Sequence, residues 1–115
     1  MANKIKNTVA YYPFFVADGR TLYVLKKKYG LSGIGFFTEL FRMLARTPGH
    51  IYSMREEFDR QRLYDFIGES AATVFDFLDT MAETGKIDRP LWEEKRVIVS
   101  ADFMESLAEA NMVEH

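Results

Sequence analysis

Between Lys26 and Phe37 the chain reads Lys-Lys-Lys-Tyr-Gly-Leu-Ser-Gly-Ile-Gly-Phe-Phe, and this segment constrains the fold more than any other. It predicts the end of one helix, a glycine stop and the opening of a second, more apolar helix. Gly30 suits the left-handed position that terminates helices, and Ser32 is the expected N-cap of the next one. Gly33 and Gly35 at the restart imply that another backbone passes close by, since glycine permits such an approach.

From this anchor the pattern extends in both directions. Val9 to Val16 is apolar but interrupted by Pro13, so it is expected to be extended. Asp18 or Thr21 is the expected cap of a first helix reaching Tyr29, with Leu22, Leu25 and Tyr29 on its inner face. The second helix, about 33–46, should bury Ile34, Phe37, Leu40, Phe41 and Leu44, and Thr47-Pro48-Gly49 should stop it. His50 to Tyr52 is a short strand candidate. Ser53 and Glu56 have the spacing of a capping box for a third helix to Ile67, with Phe58, Leu63, Phe66 and Ile67 apolar. Gly68-Glu69-Ser70 predicts a tight turn. The fourth helix runs to about Thr84, with Ala71, Val74, Phe75, Leu78, Met81 and Ala82 on one stripe. Lys86–Asp88 and Arg96–Val99 read as two strands of a hairpin, joined by a connection that holds Trp92. Ser100 or Asp102 should cap a last helix to about Ala110.

The expected fold is therefore mostly α with a small β-hairpin, a single winged helix-turn-helix-like domain over 1–115 with 1–10 and 111–115 frayed. A plain helical bundle is the alternative. Length supports one core, which 10 Phe and 6 Tyr would dominate. With no cysteine, disulfides and thiolate metal sites are excluded, and a reducing cytoplasm is the simplest setting. No apolar run approaches the roughly 18 residues of a membrane span.

Tyr12-Pro13, Lys28-Tyr29-Gly30 with Gly33 three residues on, Leu40, Ile87-Asp88, Leu91-Trp92-Glu93 and Val97 to Ser100 carry a family resemblance. In their order and spacing they resemble the N-terminal domain family, often left as a domain of unknown function, of phage-encoded, DnaD-like replication proteins. The resemblance covers about residues 11–109. The Phe14-Phe15 pair departs from the polar residues expected in relatives. What the resemblance implies is an accessory module in replication or helicase loading, with no enzymatic residues to transfer.

Charge is uneven along the chain. Residues 1–62 carry eleven Lys/Arg against five Asp/Glu, a net +6; residues 63–115 carry four against twelve, a net −8. Such a split suits a polyanion-binding face, or copies that associate head to tail. The DNA-contact candidates are Arg20, Lys27 and Lys28 on the first helix, Arg42 and Arg46 on the second, and Arg60 and Arg62 on the third. Weak, salt-sensitive, sequence-independent binding is the expected mode. The bland reading is a solvated face with Glu39–Arg42 and Glu56–Arg60 pairs at helical spacing. The fourth helix is a poor reader of a major groove, because its outer face carries Asp76, Asp79 and Glu83.

Those three residues, with Phe77 at the edge of the apolar stripe, are instead candidates for a protein interface, and a self-assembling or protein-binding module without DNA contact is the competing reading. The partners expected are DNA, other replication proteins and further copies of the chain, with no membrane. Trp92 is expected to anchor its connection on the core. No catalytic residue, metal site or cofactor is expected: the histidines are His50 and His115 alone, and no Ser or Thr has an evident base.

Overall fold

Arg20–Tyr29 forms α1 in the computed structural model of the chain, which describes residues 19–113 and side chains through 109. The extended Val9–Val16 stretch, the Asp18 cap, Tyr12-Pro13, the Phe14-Phe15 pair, fraying at 1–10 and His115 lie outside the described residues. Gly19 occupies the N-cap of α1 without a side-chain bond, and Thr21, expected as a cap, is buried inside the helix. Its hydroxyl lies 2.6 Å from that of Thr84. The Thr84 hydroxyl already donates to the Thr80 carbonyl at 2.9 Å, so Thr21 is the donor to Thr84. This partly buried hydroxyl pair fastens the start of α1 to the far end of the fourth helix.

Gly30 ends α1 at φ 68°, its N–H donating to the Lys26 carbonyl at 2.7 Å. The same glycine starts α2, Leu31–Arg46, so Ser32 sits exposed within the helix and does not cap it. A Cβ on Gly33 would collide with the Leu25 backbone carbonyl, the close approach expected of that glycine; Gly35 has open space around it. That contact sets the rotation of α2. Gly33, Phe36, Leu40 and Met43 turn inward together with Phe41 and Leu44, while Ile34 and Phe37, expected in the core, are half-buried.

Thr47 closes α2, and Pro48–His50 makes a tight 3-10 turn where a strand was expected to begin. The His50 ring donates from Nδ1 to the Leu44 carbonyl at 2.9 Å, which also accepts the Thr47 N–H at 3.1 Å, so both hold the helix end. The strand that does form, β1, is Tyr52–Ser53, and it pairs antiparallel with β2, Val97–Ile98, with Tyr52 opposite Ile98. Lys86–Asp88 is not a strand, so the expected hairpin is replaced by a pairing between distant segments. Asp88 turns the chain instead: its carboxylate accepts the Leu91 N–H at 2.9 Å and opens a helical turn, Leu91–Lys95, of π type.

Ser53 is committed to β1 and does not form a capping box. Helix α3, Glu57–Ile67, starts after Glu56 with no side-chain cap. Arg60 pairs with Glu57 at 3.1 Å, not with Glu56, and also donates to the carbonyls of Met54 and Arg55. Gly68, left-handed at φ 83°, and Ser70, accepting the Thr73 N–H at 3.2 Å, make the expected turn into α4, Ala71–Glu83. Val74, Phe77, Leu78, Met81 and Ala82 are buried, whereas Ala71 is exposed and Phe75, like Phe66, is half-buried. Phe77 stacks on Phe36 at 4.1 Å and meets the edge of Tyr29 at 4.3 Å.

Ser100 accepts the Phe103 N–H at 3.2 Å and caps α5, Ala101–Val113, which extends into the stretch expected to fray. Phe103 and Leu107 join the same core as α1, α2 and α4. The described chain is thus mostly helical, with one two-stranded antiparallel pair.

Candidate nucleic-acid interface

α3 is the least buried of the inner helices, with Leu63 its one fully buried residue. Phe58, expected in the core, is 70% exposed. One turn later the Arg62 guanidinium lies 5.8 Å from the centre of the Phe58 ring, and one turn beyond that stands Phe66. Two guanidiniums from α2 cover Phe66: Arg42 at 5.9 Å and Arg46 at 5.4 Å. Residues four apart share a helix face, which explains both the Phe58–Arg62–Phe66 row on α3 and the Arg42–Arg46 pair on α2.

Between these rows lies an open cleft of about 540 Å3, bordered by Met43, Arg46, Tyr52, Arg62, Asp65 and Phe66. Arg46 and Arg62 form no ion pair among the described residues, so their charge is available to a ligand. Arg42 is partly committed, its Nη1 reaching both carboxylate oxygens of Glu39 at 2.8 and 2.9 Å as the helical spacing predicts. The Tyr52 hydroxyl donates to the Asp59 carbonyl at 2.8 Å. Burial pushes the Tyr52 phenol above its ordinary pKa, with the Asp59 carboxylate adding to the shift and Arg62 opposing it.

The expected basic surface across three helices is brought together in part. Arg42, Arg46 and Arg62 gather around Phe66 and the cleft. Arg60 is spent on Glu57 and on backbone carbonyls. Arg20 and Lys27 are exposed on α1, outside the residues that border the cleft. Lys28 is drawn to α4, with Nζ 3.6 Å from Asp76 and 3.1 Å from the Thr80 hydroxyl. Part of the opposition between the basic and acidic halves is therefore satisfied within one molecule.

The interface expected on α4 loses its centre. Phe77 is 2% exposed and belongs to the core, because the rotation that buries Val74 and Met81 carries position 77 inward as well. Asp76 faces Lys28, and Asp79 accepts the Trp92 indole N–H at 2.8 Å, while Glu83 is exposed. Trp92 is fully buried with the Arg96 guanidinium 4.7 Å from its ring, which is the anchoring role expected of it. The residues missed in the sequence are Phe58 as a surface aromatic and Tyr52 at the cleft. Their available signal was the alternation of aromatic and cation at positions 58, 62 and 66, with Phe58 set between Glu57 and Asp59.

Among the described residues no cluster of His, Asp or Glu could hold a metal ion, and no helix is long and apolar enough to cross a membrane. Comparison of the chain with family models, curated proteins and solved structures returns no match.

Proposed function

We propose that this chain is a non-catalytic, winged-helix-like accessory module of the phage replication type it resembles, and that it associates weakly with nucleic acid through the cleft between α2 and α3. One observation carries the binding: Arg46 and Arg62, both without ion-pair partners among the described residues, border the same open cleft over an aromatic floor. Arginine presents a planar fork to phosphate and stacks on aromatic faces, so the same two side chains serve both contacts. The winged-helix reading is supported by the α3–Gly68–α4 turn and by the antiparallel strand pair whose strands flank the two helices in sequence.

Binding is sequence-independent on this reading. The exposed positions of α4 are Ala71, Ala72, Asp76, Asp79 and Glu83, which offer methyl groups and acceptors but no donor for purine edges. Its carboxylates repel a phosphate backbone, which keeps the ligand on the cleft side. Titrating labelled DNA at two salt concentrations tests the reading. Binding should weaken as salt rises, and Arg46→Glu with Arg62→Glu should abolish it or flatten the log–log slope by about 0.7–0.9 per lost phosphate contact. A slope unchanged in the double variant, or no binding at low salt, overturns it.

A further inference from the structure

We infer that the cleft takes an unpaired strand of nucleic acid rather than a duplex, with Phe58 as the platform on which a base stacks. This rests on the proposed nucleic-acid association and specifies its ligand. Phe58 is the most exposed aromatic of the described side chains, and the Arg62 guanidinium lies 5.8 Å from its ring centre. Arg62 lies against its ring and also borders the cleft, so one side chain links the aromatic to the phosphate-binding region.

A duplex hides the faces of its bases inside the stack and offers a protein only groove edges and phosphates. An exposed phenyl ring gains nothing from such a ligand. An unpaired strand presents base faces and phosphates together, and aromatic stacking combined with a basic track is the general means of holding it without reading sequence. The row of side chains matches that need. Phe58 and Phe66 are eight residues apart on α3, roughly 12 Å along the helix axis at 1.5 Å per residue. Arg62 lies between them, and Arg42 and Arg46 approach Phe66 from α2. Asp65, the carboxylate bordering the cleft, accepts hydrogen bonds from base amino groups and repels phosphate, which sets the bases toward the cleft and the backbone toward the guanidiniums.

The test uses the full chain, with a short fluorescein-labelled oligothymidylate and a duplex of equal length at equal salt. The single strand is expected to bind more tightly. Phe58→Ala should weaken single-strand binding about tenfold and leave duplex binding unchanged. Phe58→Trp should restore it. Phe58 is on the surface, so these variants are expected to keep the wild-type circular dichroism and unfolding midpoint. Equal affinity for the two ligands, with Phe58→Ala neutral, overturns the stacking inference and leaves the cleft's general nucleic-acid binding in place. Absence of binding to either ligand overturns both. If sedimentation shows an oligomer that Phe58→Ala dissociates while nucleic-acid binding is untouched, the row belongs to a second copy of the chain and the inference fails.

Discussion

Gly33 of α2 rests directly on the main chain of Leu25 in α1, so closely that a single added methyl has no place to go. The neighbour is backbone, which cannot rotate away as a side chain could. Gly33→Ala is therefore expected to destabilise the protein by about 1–3 kcal/mol or more, through overpacking. Gly35→Ala, two residues on and in open space, should be neutral or stabilising by up to about 1 kcal/mol, because alanine is the better helix former. Chemical denaturation of the two variants checks the contrast; similar midpoints would remove Gly33 as the pivot between α1 and α2.

Phe77 and Asp79 are two residues apart on α4 and should fail differently. Phe77→Ala removes an aromatic packed against Phe36 and Tyr29 and is expected to cost about 3–5 kcal/mol. Phe77→Asp should abolish folding rather than dissociate an oligomer. Asp79→Ala leaves the buried Trp92 indole N–H without its acceptor and is expected to cost about 1–3 kcal/mol. An Asp79→Ala protein as stable as the wild type would mean that solvent replaces the carboxylate.

Basic residues should divide by what they already touch. Lys28→Glu places a carboxylate beside Asp76, yet both positions are about half exposed, so the stability change should stay below about 1 kcal/mol. Reversing Lys27 and Lys28 should weaken DNA binding less than reversing Arg46 and Arg62. A larger loss from the α1 pair, measured by the same salt titration, would move the contact surface to α1.

Stability should fall at high pH. Burial favours the neutral phenol of Tyr52 and raises its pKa in the folded state. Its contribution is complete below the ordinary tyrosine value of about 10 and is lost as pH rises through the raised one. At the acid end, hydrogen bonds from Arg60 and Gln61 hold the Glu57 carboxyl below its ordinary value. The contribution of Glu57 is present above about pH 4.3 and is lost as pH falls through the lowered value. Unfolding midpoints across pH should therefore show an alkaline limb that Tyr52→Phe reduces. An identical limb in that variant would assign it to other groups.

Local chemistry was legible in the sequence at several turns, though not at Ser32, which lies inside α2 and leaves the N-cap to Gly30. Gly30, Gly68, Ser70 and Ser100 stand where the chain turns, because a stop or a cap needs only the adjacent turn of backbone. Ser53 has the same local credentials as Ser70, but β1 pairs it with Val97, more than forty residues away, and that pairing takes precedence. Helical phase was the second loss. Phe36-Phe37 and Phe75 with Phe77 offer rival inner faces of similar hydrophobicity, and periodicity cannot choose between them. The collision limit at Gly33 chooses for α2, and the fit of Phe77 between Phe36 and Tyr29 chooses for α4. At the cleft, the individual arginines were legible. Their convergence on Phe66 depends on how α2 and α3 cross, which no local pattern encodes.

The chain's single tryptophan lies at the junction of α4, the π turn and β2, fully buried beneath Arg96. Its intrinsic fluorescence is consequently a one-site probe. Emission will shift to the red when that junction opens to water, and an Asp79 variant can be followed directly through the indole it releases. Trp92 is absent from the border of the cleft, so a ligand seated there should leave the emission unchanged. Binding and unfolding can therefore be read in one cuvette, anisotropy of the labelled strand reporting the first and tryptophan emission the second.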